Sequence, residues 1–400
     1  MRLPSLFVGL ALGASALLTS SAHAQNADAF VVGILTDMNG PVAYVAGPKA
    51  VEAAKMAIED FGGKVLGRKI ELLVADHQNK TDVGSAVARE WYDTKNVRAI
   101  FDVNNSSIAF AVKDLAVARD RTAVFVSAAS SDLTGAQCSP NTFHWAFDTY
   151  SQTQAVSDAI TKNGGKNWFY LTVDYTFGKA LEKDSQAAVK KAGGTVLGSA
   201  YAPLGTQDYS SYLLQAQSKK PDVLAFANTS TDMINSVKQA KEFGVTGKTA
   251  LFFFQLFDAD ILGLDVAKGA RFLDSFYWDM NDETRAWTKR FVERTGSYPG
   301  SNMANFYGAM LHYLKAVQAA GTDDNKTILT KFRETPVNDF YTKNAKIRED
   351  GRLLRAMYLL EVKEPSQSKG KWDYFKVVDT LPDGIAFKPA AESACPLLKK

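Results

Sequence analysis

The residues with chemical potential fall in a few short runs. "EFGVTGKT", residues 242–249, carries the Gly-Lys-Thr end of a phosphate-binding loop. Such a loop also needs a first glycine, where Glu242 stands, and a strand followed by a helix, whereas this run leaves a helical pattern and enters a strand. It reads as a glycine-ended helix. Asp258 and Asp260 in "FDADILG" offer a carboxylate pair for acid–base work, but at i and i+2 beside a helix start they read as an N-cap and a first-turn acid. Of four histidines, His23 lies in the leader, and His77, His144 and His312 are far apart, with no HExxH pattern or Cys/His cluster to hold a metal. No GxSxG nucleophile elbow occurs, and no GxGxxG follows a strand. These patterns point to no enzyme, no cofactor and no metal.

What remains is a set of polar loops at the ends of apolar strands. On the first half of the chain they are "TDMNGPVAYVAGP", "NNSSIAF" and "SAASSDLTG"; on the second, "DYTFGKA", "NTSTDM" and "FFQLFD". In open α/β sheets, ligands sit outside the carboxyl ends of the strands, and a crevice between two lobes is a preferred pocket. "NNSSIAF" also opens a helix. Free amides at a helix N-terminus, with Asn and Ser side chains, can hold a carboxylate without any Arg or Lys. The same residues serve equally well as an ordinary helix cap.

The elements that must position these loops alternate along the chain. Strands are expected at Phe30–Leu35, Ile70–Ala75, Ala99–Val103 and Ala123–Val126, with helices between them. One helix carries Val51, Ala54, Ile58 and Phe61 on one face, another Ile108, Val112 and Leu115. The pattern then restarts with strands at Trp168–Val173, Thr195–Ala200, Val223–Ala227, Ala250–Phe254 and Phe272–Trp278. Helices lie near Lys179–Ala192 and Thr231–Phe243, then near Asp282–Thr295, Asn302–Ala320 and Lys326–Arg333. Two late strands, "LLRAMYLLEVK" and "WDYFKVVDTL", flank the polar turn "EPSQSKG". Two successive α/β rounds imply two lobes with parallel sheets.

The first residues, "MRLPSLFVGLALGASALLTSSAHAQ", join Arg2, an apolar run and an Ala-His-Ala site, the pattern of a secretory signal peptide over 1–24. No cysteine stands at the cleavage site to carry a lipid anchor, so the expectation is an exported, soluble chain. The formal net charge of +3, one unit of it from Arg2, comes with no basic stripe that would suit nucleic acid. The two cysteines, Cys138 in "TGAQCSPN" and Cys395 in "ESACPLL", sit in turn-like contexts. In an oxidising compartment they are expected to pair rather than remain two free thiols. Closing so long a loop is worth on the order of 5 kcal/mol in the chain-entropy model.

Four segments in order resemble a known family, the type I periplasmic solute-binding proteins of ABC importers in the leucine/isoleucine/valine-binding class. They are "VVGILTDMNGPVAYVAGP", "GGKVLGRKIELLVADHQNKTDVG", "VDYTFGKAL" and "KPDVLAFANTSTDMINSVKQAKEFG". The likeness spans essentially all of the chain after the leader. It implies an α/β fold of two Rossmann-like lobes joined by a hinge of three crossings, near Phe147, Trp278 and Leu353. Lobe 1 would then comprise 25–147 plus 279–353, lobe 2 148–278 plus 354–387, and 388–400 would be a tail tied back by the disulfide.

The resemblance also implies a site. The helix-terminus contact to a ligand carboxylate falls on Asn105, with Asn104 and Ser106 beside it. A contact after the fourth strand falls on Ala129 and Ser131, with Ser130 between. The second-lobe aromatic falls on Tyr175 or Phe177, and the next contact on the loop around Thr229; Tyr44 and Tyr150 are also placed to line the cleft. Where amino-acid binders of the family carry a carboxylate for the α-ammonium, this chain has the neutral Gln255. Burying an ammonium without an opposing charge costs several kcal/mol, so an α-amino acid is disfavoured unless Asp258 or Asp174 takes over. Aromatic residues, Phe254 among them, would instead line a slot for a flat body. The implied function is a monomeric periplasmic subunit that captures a small carboxylate or amide for a membrane permease and ATPase. An aromatic acid comes first and a branched-chain amino acid second. A ligand-sensing subunit that reports to a membrane receptor would share these features.

Overall fold

The computed structural model describes residues 29–398 except 246 and 383, so the expected signal peptide lies outside the described residues. In chain order the first round comprises β1 (Phe30–Thr36), α1 (Gly47–Phe61), β2 (Lys64–Val65), β3 (Arg68–Asp76), α2 (Thr81–Asp93), β4 (Ala99–Asp102), α3 (Ser106–Ala118), β5 (Thr122–Phe125) and β6 (Thr142–His144). Its sheet has the order β2-β3-β1-β4-β5-β6, parallel except for the β2–β3 hairpin. Every residue of β1, FVVGILT, is buried, as expected of a strand covered on both faces. Gly33 is required there, because a Cβ would lie 2.3 Å from the Trp91 ring of α2.

The second round comprises α4 (Thr149–Lys162), β7 (Asn167–Val173), α5 (Thr176–Lys191), β8 (Thr195–Ala202), α6 (Ser210–Lys219), β9 (Val223–Ala227), α7 (Ser230–Glu242), β10 (Lys248–Leu251), α8 (Leu256–Leu262), α9 (Leu264–Ala267) and β11 (Arg271–Asp274). Strands β10-β9-β7-β8 form a parallel sheet. Next come α10 (Asp282–Thr295), α11 (Ser301–Ala320) and α12 (Asn325–Glu334), then β12 (Lys346–Ile347), β13 (Leu353–Leu354), β14 (Met357–Val362) and β15 (Phe375–Leu381). The three late helices join the core of the first sheet, with Trp287, Met310, Tyr313 and Phe332 buried among residues of β1, α1 and β4. Strands β14 and β15 instead pair antiparallel with β11 as β11-β14-β15. No helix among the described residues is long and apolar enough to cross a membrane.

Several expected strands are shorter than their runs: "LLRAMYLLEVK" is divided between β13 and β14, and "WDYFKVVDTL" is a strand only from Phe375. Strand β10 ends at Leu251 and β11 at Asp274, because the chain leaves the sheet at their carboxyl ends to build loops. Strand β6 was not expected, since three residues are too few for a period-2 pattern to show.

The chain passes from the first sheet to the second at Phe147–Asp148, and Arg352, on a later crossing, is fixed to the same point. Its guanidinium meets Asp148 at 2.9 Å and donates to the carbonyls of His144 and Ala146, with both side chains buried. Asp148 also caps α4 by accepting from the Ser151 amide at 2.7 Å.

Cys138 and Cys395 form the disulfide, with Cα atoms 5.7 Å apart at a sequence separation of 257. It pins the C-terminal segment beside the loop after β5, where Ser393 also donates to the Thr134 carbonyl. Replacing both cysteines by serine is expected to lower the unfolding free energy by about 2–4 kcal/mol, since strain and residual denatured structure usually reduce the ideal loop term. Thermal melts of that variant beside the wild type, with and without reductant, check this: reductant should lower the wild-type Tm and leave the variant unmoved.

Candidate functional site

In each parallel sheet the chain starts a central strand, lays the next strand on one side, then crosses to the other. In the first sheet β1 is flanked by β3 and β4; in the second, β7 is flanked by β8 and β9. The crevice at such a switch point is the natural ligand position. The loops after β1, β4, β5 and β6 on one side meet those after β7, β9 and β10 on the other around a cavity of about 30 Å³. Its wall holds Val42, Val45, Asn104, Ser106, Ser127, Ala129 and Phe147, and opposite them Tyr175, Phe177, Thr229, Phe253 and Gln255, with Asn302 from α11. Among the described residues no charged side chain lines it.

Asn104 and Asn105, adjacent in sequence, do different work. Asn105 is the N-cap of α3: its Oδ1 accepts from the amides of Ser107 at 3.0 Å and Ile108 at 3.4 Å. The capping interpretation of "NNSSIAF" thus accounts for Asn105, whose side chain is outside the cavity wall. Asn104 does line the cavity, and its Oδ1 accepts from the Asp37 amide at 3.1 Å and meets His77 Nε2 at 2.7 Å. Because His77 Nδ1 accepts from the Asn79 amide at 3.1 Å, the network assigns the proton to Nε2. Burial lowers the His77 pKa and keeps the ring neutral. Asn104 therefore clasps the loops after β1 and β3.

Ser106 lines the cavity at the first turn of α3 and accepts from the Ser130 amide at 3.3 Å. Ala129 lines it as well; Ser130 and Ser131 do not. Ser131 Oγ donates across the cleft to Asp184 Oδ2 at 2.7 Å, the oxygen that also accepts from Thr149. Ser107 likewise meets Thr176 across the cleft at 2.7 Å. Tyr150 sits away from the cavity, half buried under the Lys388 ammonium at 5.1 Å.

Tyr175 and Phe177 belong to "DYTFGKA", whose Gly178 lets α5 press onto β7: a Cβ there would lie 2.1 Å from the Val173 carbonyl oxygen. Phe177 packs edge-on against Phe253 at 4.8 Å, Phe147 meets Phe253 at 5.2 Å, and Tyr175 lies 5.8 Å from Phe177. Phe254, expected in this slot, instead points into the second-lobe core against Phe272 and Phe375. Successive side chains of an extended segment face opposite ways, so the cleft receives Phe253.

Thr229 and Gln255 stand at the N-caps of α7 and α8. Three residues one turn on, Asp258 accepts the Gln255 amide at 2.8 Å and, across the cleft, the Tyr44 hydroxyl at 2.6 Å. Asp258 is wholly buried with no cation beside it among the described residues, and burial raises its pKa to about 7. Gln255 therefore takes the N-cap position expected of an aspartate, and Asp258 is the first-turn acid. Asp260 is engaged elsewhere, accepting from Tyr374 at 2.6 Å. Asp174 is largely exposed and paired with Lys179 at 2.8 Å.

Backbone strain collects at the same loops. Asp102 and Val103 hold φ of 83° and 57°, and Ser230 holds 60°. Such values are unusual outside glycine, most of all for a β-branched residue, and they persist where the surroundings over-determine the chain, often at binding sites. Beneath the floor, the buried Asp102 accepts from Ser127, and burial raises its pKa to about 7.

Sequence reasoning missed Val42, Val45, Ser127, Phe147, Phe253 and Asn302. Asn302 is the most informative: its Nδ2 donates to the Val45 carbonyl at 2.9 Å, while its buried Oδ1 has no partner among the described residues. The start of a helix at "YPGSN" was the available signal, but it lies about 200 residues from the other polar loops of the first lobe.

The sequence profile described as periplasmic binding protein matches residues 30–371. The solved structure of a periplasmic binding protein from Burkholderia mallei is 42% identical, with a TM-score of 0.91, covering 93% of this chain and 100% of that one. A branched chain amino acid ABC transporter periplasmic ligand-binding protein from Burkholderia xenovorans LB400 is 38% identical, with a TM-score of 0.80, covering 92% and 100%. Among curated proteins, the Leu/Ile/Val-binding protein homolog 7 of Brucella suis biovar 1 (strain 1330) is 26% identical over 322 residues, 75% of this chain and 79% of that protein.

Proposed function

We propose a function from a fixed premise, that this chain belongs to the periplasmic binding protein family: it captures a small aromatic carboxylate, as a monomer, for the permease and ATPase of an ABC importer. It is a solute-binding protein and not an enzyme. The observation that carries the ligand class is the cavity wall, which joins neutral hydrogen-bonding groups to the rings of Phe147, Tyr175, Phe177 and Phe253 and holds no charged side chain.

In this reading the carboxylate is held by the first turn of α3 with Ser106, and a polar substituent by Gln255 or Asn302. The aromatic cluster takes the flat body by offset and edge-on contacts. A cavity of about 30 Å³ holds a water or two, so a ligand of this size enters a wider cleft, and contacts from both lobes then favour closure.

A branched-chain amino acid is the second reading, favoured by the likeness to the Burkholderia xenovorans protein. An α-ammonium would need a carboxylate within reach. Asp174 is turned to Lys179, and Asp258 lies behind Gln255 with its oxygens on Tyr44 and the Gln255 amide. The likeness to an ABC transporter ligand-binding protein favours transport over the sensing alternative.

Thermal-shift screening against substituted benzoates, branched-chain amino acids and short amides tests this, since a ligand that binds only the native state raises Tm. A benzoate is expected to raise Tm and leucine not to. The Ser106→Ala variant should then weaken benzoate binding at least tenfold, as a hydrogen bond to a charged group is worth about 1.5–3 kcal/mol. A shift by leucine or valine, with none from any aromatic acid, overturns the ligand class.

A further inference from the structure

The second lobe contains a much larger cavity, about 680 Å³, that shares no wall residue with the cleft. It exists because β10 and β11, consecutive strands in the chain, do not pair. Strand β10 is bonded only to β9 and β11 only to β14, so the sheet is interrupted between them. Helices α4 and α7 line the gap. Its inner wall is apolar, with Ile160, Leu224, Phe226, Val237 and Leu251 among its residues. This volume lies within the range of small-molecule pockets.

The charges of this cavity have one sign. Lys241, Lys248, Lys268 and Arg271 belong to its wall, all four are exposed, and no acidic residue does. Lys268 is paired with Glu364 at 3.3 Å and Arg271 with Glu361 at 2.6 Å. Among the described residues Lys248 donates to the Asn163 carbonyl, and neither Lys248 nor Lys241 has an ion-pair partner. Lys241 stands in the last turn of α7 and Lys248 is the first residue of β10. An apolar interior with unneutralised cations at its mouth suits a molecule with an apolar body and one anionic end.

We propose that this cavity is a second ligand site, separate from the cleft, for an amphipathic carboxylate of the fatty-acid class. The tail lies between the Ile160 and Val237 faces of α4 and α7, and the carboxylate sits at Lys241 and Lys248. Burying the tail supplies the affinity, and the two ammonium groups select an acid over an alcohol of the same length.

The test is calorimetric titration of the mature protein with dodecanoate below its micellar concentration, beside dodecanol. Dodecanoate is expected to bind saturably at one site per chain and at least tenfold more tightly than dodecanol. Val237→Trp, which fills the cavity, and the exposed pair Lys241→Glu with Lys248→Glu should each weaken dodecanoate at least tenfold. The charge-reversed pair alters only surface side chains, so it gives a readout even if the tryptophan variant fails to fold. Absence of saturable binding, equal affinity for dodecanol, or wild-type affinity in the charge-reversed pair would overturn the site. So would loss of dodecanoate binding in Ser106→Trp, which blocks the cleft alone.

Discussion

Replacing Asp258 with asparagine is expected to remove most of the pH dependence of ligand affinity between pH 5.5 and 8. With the lobes in contact, as in this structure, Asp258 is buried with no counter-charge among the described residues, held by Tyr44 from the opposite lobe and by the Gln255 amide. Burial raises its pKa from the ordinary 3.8 to about 7. When the lobes part, Tyr44 withdraws and water reaches the carboxylate, which returns toward its usual value. A group whose pKa is higher in the closed state makes closure take up a proton. Closure is therefore most favoured at low pH, and the advantage is lost as pH rises through about 7. Wild-type affinity should rise by up to about tenfold per pH unit on acidification below about 7, and the part reached by pH 5.5 corresponds to roughly 2 kcal/mol.

Asparagine cannot ionise, so the slope should flatten. Its amide would also face the Gln255 N–H donor, which costs about 1 kcal/mol of the α8 cap; the slope and not the absolute affinity is the readout. Asp184, raised by burial and taking the cross-lobe bond from Ser131, adds a smaller term of the same sign. Calorimetry at several pH values on the wild type, Asp258→Asn and Asp258→Asn with Asp184→Asn separates the two. An unchanged slope in the double variant would remove both carboxylates from the closure step.

Replacing Arg352 with methionine is expected to lower the unfolding free energy by about 3–5 kcal/mol, the usual cost of breaking a buried ion pair from one side. Burial pushes the Arg352 guanidinium down to about 10, which leaves it charged at neutral pH. Removing it strands the Asp148 carboxylate and the carbonyls of His144 and Ala146 in the interior at a chain crossing. Asp148 keeps the Ser151 amide, so the loss is local and the chain should still fold. In a protein of this size that energy is a fall in Tm of roughly 5–10 °C. Pairing the change with Asp148→Asn should recover part of it, because the stranded charge is then gone. A Tm within a degree of wild type in Arg352→Met would mean that the pair does not hold the crossing.

The fold was largely legible in the sequence because its signals are local. A continuous apolar run such as FVVGILT and a one-sided helix such as α3 each declare themselves within a dozen residues, and their alternation leaves few architectures. The site was legible only as loops. "NNSSIAF" announced a polar strand end, but nothing within it says that Asn104 clasps the neighbouring loops while Asn105 caps α3. "FFFQ" announced aromatics, but not that Phe253 faces the cleft and Phe254 the core.

By itself, the sequence determined the two α/β rounds, the family and, with only two cysteines to choose from, the disulfide partners. Those depend on patterns along the chain and on composition. Tertiary structure alone decided which polar groups remain free for a ligand. Ser131 is spent on Asp184 and Tyr44 on Asp258, both across the cleft, while Asn302 arrives from a distant helix with an unpartnered oxygen. A side chain's availability depends on what the rest of the fold brings to its polar atoms. Those partners are set by packing between segments far apart in the chain, which no local pattern encodes.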